Sequence, residues 1–267
     1  MAARTNRDWG RVVTGLALLL GPGAVAAALI AALGSGRGLW HFRIGFVVLH
    51  HAFWAAAAGA LLALLGLVLT RRRTGPRLAN LLALLVSAGF LLYVGSLLRT
   101  AKSVPAIHDA TTNLEDVPRF ERLSVREDNL SKIPDEGRAD FRRLAPEARW
   151  KAVHRLHYGD LRTVRVAGDV PSSVRRAAAL ARDRGWTLAL VDGSGRVEAT
   201  ATSRFFRFKD DVVVRVRPAP GAGSLVDMRS VSRVGQSDLG VNAARVRAFM
   251  ADLARGGSAA SSGKQSP

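Results

Sequence analysis

The sequence predicts an integral membrane protein in which a three-helix transmembrane region precedes an α+β domain. Three apolar runs, residues 12–33, 46–69 and 78–98, contain no Asp, Glu, Lys or Arg. At about 1.5 Å per helical residue, each run is long enough for a hydrocarbon core of roughly 30 Å. The rest of the chain is polar, mixed in charge and punctuated by turn residues, as in a domain that folds in water. We therefore assign residues 1–102 to the membrane domain.

The basic residues beside these runs predict the orientation, because short loops rich in Arg and Lys are retained in the cytoplasm. Seven arginines flank the side of the N-terminus and the second loop: Arg4, Arg7, Arg11, Arg71, Arg72, Arg73 and Arg77. Four basic residues flank the opposite side: Arg37, Arg43, Arg99 and Lys102. We expect a multi-pass protein of the cell inner membrane, with a cytoplasmic N-terminus and a periplasmic C-terminal domain after three crossings.

Composition excludes several classes of site. The 267 residues include no cysteine, which excludes disulfides, thiolate metal sites and a cysteine nucleophile. The formal net charge is +18, but residues 1–102 hold eleven basic residues and a single acid. More than half of the excess charge therefore flanks the membrane. We expect it to attract anionic lipid head groups and not nucleic acid.

Two stretches of different character follow the membrane domain. Residues 103–145 are rich in Pro, Asp, Glu and Arg and show no sustained period, which predicts an extended strap that wraps over another surface. A short helix is predicted over residues 146–157 because Pro146 suits a first helical position, and it completes a segment that ends at residue 160. Residues 161–255 are predicted to form the α+β core. Residues 256–267, rich in Gly, Ser and Ala, are predicted to be a disordered tail.

The core is predicted to follow the order strand-helix-strand-strand-strand-helix. Residues 161–167 alternate like a strand, and residues 171–185 read as a helix that begins at Pro and stops at Gly. Strand-like segments follow within residues 186–234, with Asp192-Gly-Ser-Gly195 as a tight turn. A last helix from Asp238 carries an apolar stripe. One antiparallel sheet with both helices on a single face accounts for this order.

Four motifs in the polar part of the chain carry a family resemblance. They are Ile107-His-Asp-Ala-Thr-Thr112, Arg196-Val-Glu-Ala-Thr200, Phe208-Lys-Asp-Asp-Val-Val-Val-Arg215 and Asp227-Met-Arg-Ser-Val-Ser-Arg-Val-Gly-Gln-Ser-Asp-Leu-Gly-Val-Asn-Ala-Ala-Arg245. In order and spacing they closely resemble the domain-of-unknown-function family 1499. Gly159 and Arg207 depart from the family pattern, which has Pro and a small residue there. The resemblance implies a domain that follows hydrophobic spans or lies in a lumen, without an established reaction.

Strand alternation gathers basic side chains on one face of the predicted sheet. The face away from the helices would carry Lys209, Arg215, Arg217, Arg229 and Arg233. Guanidinium groups bind oxyanions bidentately, so these residues are our candidate site for a phosphate, a carboxylate or an anionic head group. The alternative is a solvated face on which they form ordinary cross-strand ion pairs with Glu198, Asp210, Asp211 and Asp227.

A catalytic interpretation centres on Ser237. It lies in Gly235-Gln-Ser-Asp-Leu-Gly240, between a predicted strand and helix, although the spacing differs by one residue from a Gly-x-Ser-x-Gly elbow. His108 and its neighbour Asp109 would complete a nucleophile-base-acid set. The alternative is that Ser237 or Asp238 caps the last helix, with Asn242 in its first turn.

The histidines give little indication of a metal site. His154 and His157 are three residues apart and can share a helix face, but no carboxylate pattern accompanies them, which favours a surface pair. His50 and His51 lie near the outer end of the second run, where interfacial aromatic belts are ordinary; the alternative is a ligand pair for haem or a metal. We expect no metal and no cofactor.

These observations leave two function classes. We favour a non-catalytic envelope protein whose outer domain binds an anionic ligand, a lipid or a protein partner, because the motif residues fit turns, caps and charge ladders. Membrane lipids and a second copy of the chain are further expected partners. The alternative is a membrane-tethered hydrolase that uses Ser237 or His108.

Overall fold

The computed structural model describes the backbone of residues 2–262 and the side chains of residues 9–255, and it divides into two compact units. The first unit contains four helices: α1 (Ala2–Leu20), α2 (Pro22–Gly36), α3 (Phe42–Leu69) and α4 (Thr74–Ser103). The second contains six strands and four further helices: β1 (Asp109–Thr111), α5 (Ala139–Arg142), α6 (Pro146–Tyr158), β2 (Val164–Val166), α7 (Val170–Asp183), β3 (Thr187–Asp192), β4 (Arg196–Thr202), β5 (Lys209–Pro218), β6 (Ser224–Ser232) and α8 (Val241–Ser262).

Three helical segments of the first unit are long and apolar enough to cross a membrane: Trp9–Gly36, Phe42–Leu69 and Thr74–Ser103. This confirms the predicted membrane region. The first segment is divided between α1 and α2 at Gly21, because Pro22 has no N–H to continue the helical ladder. The first of the three candidate membrane spans therefore consists of two consecutive helices.

Small residues let the helices of the first unit approach closely. Ala56 and Ala63 of α3 are fully buried. A Cβ placed on Gly59 would lie only 2.4 Å from the backbone nitrogen of Gly21, so the two backbones meet directly. Such contacts are the usual basis of helix association in lipid. The small residues of α3 are thus used for packing inside the unit.

A buried amide joins three helices of the same unit. The Asn80 Nδ2 group donates to Thr14 Oγ1 at 2.9 Å and to the Pro76 carbonyl at 2.9 Å. Its side chain lies against Gly66, where an added Cβ would come within 2.2 Å of Asn80 Oδ1. Hydrogen bonds between helices substitute for the hydration that these groups lose.

The second unit is built on an antiparallel sheet in the order β1-β6-β5-β4-β3, with β2 also paired to β6. The strands β3 to β6 form a continuous meander, in which Val213 lies opposite both Glu198 and Arg229. An antiparallel sheet with helices confirms the predicted fold class. The predicted strand order needs two corrections.

Four strands, not three, lie between α7 and α8, and the strap contributes the additional strand β1. The turn at Asp192–Gly195 makes β3 and β4 separate strands: Asp192 Oδ1 accepts the Ser194 amide at 2.9 Å, and Gly195 has a φ of 142°. The strand β1 has only three residues and pairs with β6 about 120 positions later, so local alternation could not reveal it.

Helices α7 and α8 pack on one face of this sheet, as predicted. The strand residues that face them are Val212, Val214, Val216, Val226 and Met228, and the helix residues include Val174, Ala178, Val246, Phe249 and Leu253; all are buried. The rings of Trp186 and Phe249 stack with centroids 5.3 Å apart. We call this the inner face, and the opposite side of the sheet the outer face. Burial of this continuous apolar layer is the main driving force for folding the domain.

Helix α6 protects the free edge of β1. The indole Nε1–H of Trp150 donates to the Asp109 carbonyl at 3.1 Å, and the Thr111 amide donates to His154 Nε2 at 3.0 Å. These side chains satisfy backbone groups that would otherwise invite another strand. His154 is therefore a buried core histidine at 1% exposure and not a member of a surface pair.

The end of the chain differs from the prediction. Helix α8 continues to Ser262, so the backbone is helical over residues 256–262 of the predicted disordered tail. Gly256 and Gly257 are poor helix formers, so this extension depends on propagation from the packed part of the helix and not on the propensity of its own residues. Residues 263–267 of that predicted tail lie outside the described residues.

Replacing His154 with Gln should remove a pH dependence of stability. Burial lowers the pKa of His154 to about 4, from an ordinary value of 6.5. The unfolded chain therefore takes up a proton at a pH where the folded domain does not, and stability is lost as pH falls from about 6.5 to about 4. Gln retains an acceptor for the Thr111 amide but does not titrate.

The measurement is urea unfolding of the full-length protein in detergent, followed by tryptophan fluorescence at several pH values. The free energy of unfolding of the wild type, relative to His154→Gln, should be constant above pH 7. It should then decrease by up to about 1.4 kcal/mol per pH unit within the window. A difference that stays constant from pH 7 to pH 4 would contradict the assignment.

Candidate functional site

The strap crosses the outer face of the sheet, and a single buried carboxylate anchors it there. Glu198 of β4 is completely buried, and its two oxygens accept three consecutive strap amides. The distances are 2.5 Å from the Glu121 amide, 3.0 Å from the Arg122 amide and 2.7 Å from the Leu123 amide. Because hydrogen bonds to a charged acceptor are strong and a buried carboxylate requires them, this contact determines where the strap lies.

The arginines predicted as an anion site lie on this outer face, but each is paired with a carboxylate. Arg215 and Arg217 donate to Asp227 Oδ2 at 3.0 and 2.7 Å, and both also pair with Asp116 of the strap. Asp227 is fully buried and accepts a further hydrogen bond of 2.5 Å from the Thr163 hydroxyl. Arg215 lowers the pKa of Asp116 by donating a hydrogen bond to it.

The other two arginines form bidentate pairs. Arg229 donates through Nε and Nη2 to Asp109 at 2.9 and 2.6 Å. Arg233 donates through the same two nitrogens to Asp211 at 2.7 and 2.8 Å. Lys209 is exposed. Four aspartates thus balance the four arginines. Asp211 and Asp227 belong to the cross-strand alternative that the sequence offered, whereas Asp109 and Asp116 come from β1 and the strap.

A buried polar network occupies the opposite, inner face near the start of α8. Asp210 pairs with Arg245 at 2.6 Å. Asn242 Nδ2 donates to the His108 carbonyl at 2.9 Å and to Ser232 Oγ at 2.8 Å. These contacts tie the helix to β5, β6 and the strap. Asp210 and Asn242 are therefore buried residues that hold the fold together.

Asp238 caps α8, in agreement with the structural interpretation of its motif. Its carboxylate accepts the Asn242 amide at 2.6 Å and the Gly240 amide at 2.9 Å. Burial raises the pKa of Asp238, although both amides act in the opposite direction. Ser237 Oγ accepts the Leu239 amide at 3.2 Å. The serine hydroxyl thus takes part in the same turn.

The residues of the predicted catalytic set bond to other partners. His108 Nδ1 lies 3.1 Å from the Gln236 carbonyl, and His108 Nε2 lies 3.0 Å from Asn129 Oδ1. Asn129 Nδ2 in turn donates to Asp109 Oδ2 at 2.6 Å. Within residues 9–255, no hydrogen bond joins Ser237 to His108, and the Asp109 carboxylate is engaged by Asn129 and Arg229. This geometry connects strap to sheet and does not assemble a nucleophile with its base.

Within the part of the chain that the structure describes, the remaining histidines do not form a metal site. His157 lies 3.2 Å from Glu136 Oε2, whereas His154 faces β1. The rings of His50 and His51 are 5.5 Å apart, and both side chains are exposed on α3. Among the described residues, no group of three His, Asp or Glu side chains is placed to hold a metal ion.

A cleft that sequence reasoning missed opens where the strap passes the ends of β5 and β6. Its volume is about 370 Å³, and its charged lining comprises Arg122, Arg126, Arg233 and Asp211. Only Arg233 belonged to the predicted site. The pattern Arg122-Leu-Ser-Val-Arg126 was the available signal, because an extended segment presents alternate residues on one side.

Replacing Glu198 with Gln should release the strap from the outer face. The three amides lose a charged acceptor, and the NH₂ group of Gln places a second donor against one of them. We therefore expect the free energy of unfolding to fall by about 2 kcal/mol. Hydrogen exchange of the full-length protein should show faster exchange of the amides of residues 121–123.

Glu121→Gln is the matched control, because the Glu121 carboxylate is 58% exposed and forms only a surface pair with Arg196. Exchange at residues 121–123 that is equally slow in Glu198→Gln and in the control would refute the anchoring role.

A family described as "Protein of unknown function (DUF1499)" matches residues 109–253, more than half of the chain. The match begins in β1 and ends in α8, so it includes the sheet, the strap from β1 onward and both packing helices. No curated protein matches the sequence. The chain therefore belongs to the DUF1499 family and carries the family domain behind three helices of membrane-spanning length.

Proposed function

We propose that the protein is an inner-membrane anchored binding module whose DUF1499 domain recognises an anionic ligand on the periplasmic side without catalysing a reaction. The ligand is an anionic small molecule, a lipid head group or an acidic surface of an envelope protein. Membrane lipids hold the anchor, and a second copy of the chain is a further candidate partner. The cytoplasmic orientation of the N-terminus rests on the bias of Arg and Lys in the short loops.

One observation carries the binding proposal: Arg122 and Arg126 of the strap join the paired Arg233 at the cleft, which therefore has more guanidinium groups than carboxylates. The other sheet arginines, Arg215, Arg217 and Arg229, are neutralised. Arg122, Arg126 and Arg233 line the cleft together with a single acid, Asp211. Asp128 pairs with Arg126 from a position that is 67% exposed. An excess of positive charge in a concave, partly apolar site attracts anions and raises their local concentration.

The contacts of Ser237 and His108 favour binding over hydrolysis. A serine hydrolase needs its base within hydrogen-bond reach of the nucleophile. His108 instead bridges the Gln236 carbonyl and Asn129, and Ser237 accepts an amide of its own turn. The side chains that the hydrolase alternative requires therefore serve the attachment of the strap and the start of α8.

Wild-type protein in phosphatidylcholine nanodiscs should bind anions in a salt-dependent manner. We expect saturable calorimetric titration with inorganic pyrophosphate or citrate, or co-flotation with vesicles that contain phosphatidylglycerol. The affinity should fall as salt rises, because screening weakens attraction between exposed charges. Absence of binding to all three probes at low ionic strength would refute the proposal. Ester turnover that disappears in Ser237→Ala would replace it with the hydrolase.

A reporter fused after Leu253 should be active only if it is exported. Alkaline phosphatase at this position should be active and a fluorescent protein should be dark, since three crossings from a cytoplasmic N-terminus place the domain outside. A fusion after Arg73, in the second loop, should give the opposite pair of results. Fluorescence without phosphatase activity at Leu253 would overturn the proposed orientation.

A further inference from the structure

The cleft under the strap has the features of a site for one particular class of anion. Arg122 and Arg126 approach from the strap and Arg233 from the end of β6, so the guanidinium groups come from two elements that meet at the cleft. The Arg122 main chain is fixed by its amide hydrogen bond of 3.0 Å to Glu198. The site is thus preorganised by the buried anchor, and a ligand need not order the strap.

The three guanidinium groups differ in how much of their donor capacity is already used. Arg233 commits Nε and Nη2 to Asp211 but keeps 42% of its side chain exposed. Arg126 donates Nη1 to the Gly235 carbonyl at 2.8 Å, and its Nε lies 2.9 Å from Asp128. Arg122 is exposed and, within the described side chains, has no carboxylate partner. Arg122 is therefore the residue with the most to gain from a ligand.

The single acid of the cleft does not cancel this capacity. Asp211 is only 4% exposed and accepts both the Arg233 fork and the Thr200 hydroxyl, the latter at 2.7 Å. Its oxygens are thus directed to protein donors and away from an incoming anion. Leu123, Val125 and Val231 complete the lining with apolar surface.

We infer that this cleft binds a phosphate group, with Arg122 as its principal donor and Arg126 and Arg233 as supporting charges. The inference rests on the proposed function and gives it a location and a ligand class. Guanidinium donors match the oxygen pairs of a phosphate, and its tetrahedral oxygens suit donors that approach from two elements better than the planar oxygens of a single carboxylate do. The apolar lining accommodates the organic group that the phosphate carries. Free phosphate compounds and lipid head groups share this chemistry.

The test compares variants of the full-length protein in phosphatidylcholine nanodiscs. Arg122→Gln should weaken binding of the phosphate probe about tenfold, the equivalent of one charge-assisted hydrogen bond. Arg122→Lys should recover part of the loss, because it restores the charge without the fork. Arg143→Gln is the matched control: it removes the same charge at an exposed position outside the cleft lining and should change affinity less than twofold.

Two probes distinguish the sources of the phosphate. A tenfold loss measured with inorganic pyrophosphate supports a soluble phosphate compound, and the same loss measured only with phosphatidylglycerol vesicles supports a head group. Binding that is equal in Arg122→Gln and Arg143→Gln would overturn the inference while leaving the proposed function intact. Wild-type protein that binds citrate but neither phosphate probe would also overturn the phosphate inference and leave the proposed function intact. Absence of binding to every probe would remove both.

Discussion

The hydrogen bonds between the buried Glu198 carboxylate and three strap amides are the contact on which the domain depends. They place an irregular segment across a sheet face that would otherwise expose four arginines and their acids to water. A carboxylate without a cationic partner tolerates complete burial only when its oxygens accept hydrogen bonds, so the sheet and the strap require each other. The strap therefore covers the outer face of the sheet and buries its carboxylates.

The same constraint decides what the arginines do. Asp116 of the strap and Asp227 of β6 both form ion pairs with Arg215 and Arg217, so these arginines are paired with the strap as well as with the sheet. Arg229 is largely buried: it pairs with Asp109, and its guanidinium carbon lies 5.8 Å from the centroid of the Trp150 ring. These residues connect three layers of the domain. Lys209 stays exposed at the edge of the sheet, and the strap adds Arg122 and Arg126 at its crossing point, where we propose that the anion binds.

Polar networks on both faces converge on the region around His108. Its side chain reaches Asn129 of the strap, and its carbonyl accepts from Asn242 of α8. A fully bonded buried network specifies a unique arrangement, because each displaced member leaves a partner unsatisfied. The sequence suggested catalytic roles for a histidine beside an aspartate and for a serine in a glycine-flanked turn. In the structure these side chains attach the strap to the sheet and form the turn before α8.

Sequence alone predicted the three apolar segments and the antiparallel sheet with α7 and α8 on one face, because each depends on local periodicity, and it offered Ser237 or Asp238 as the cap of the last helix. It did not determine the fourth strand between the helices, the strand β1 or the helical continuation of α8. Tertiary structure alone decided which face the strap covers, which aspartate neutralises which arginine, and that Arg122 remains available. The placement of the strap depends on pairs that are distant in sequence: Glu198 and Arg122 are 76 positions apart, and Asp109 and Arg229 are 120 apart. These residues come into contact only when the strands pair into the sheet, and a local sequence pattern does not indicate which distant residues will then be neighbours.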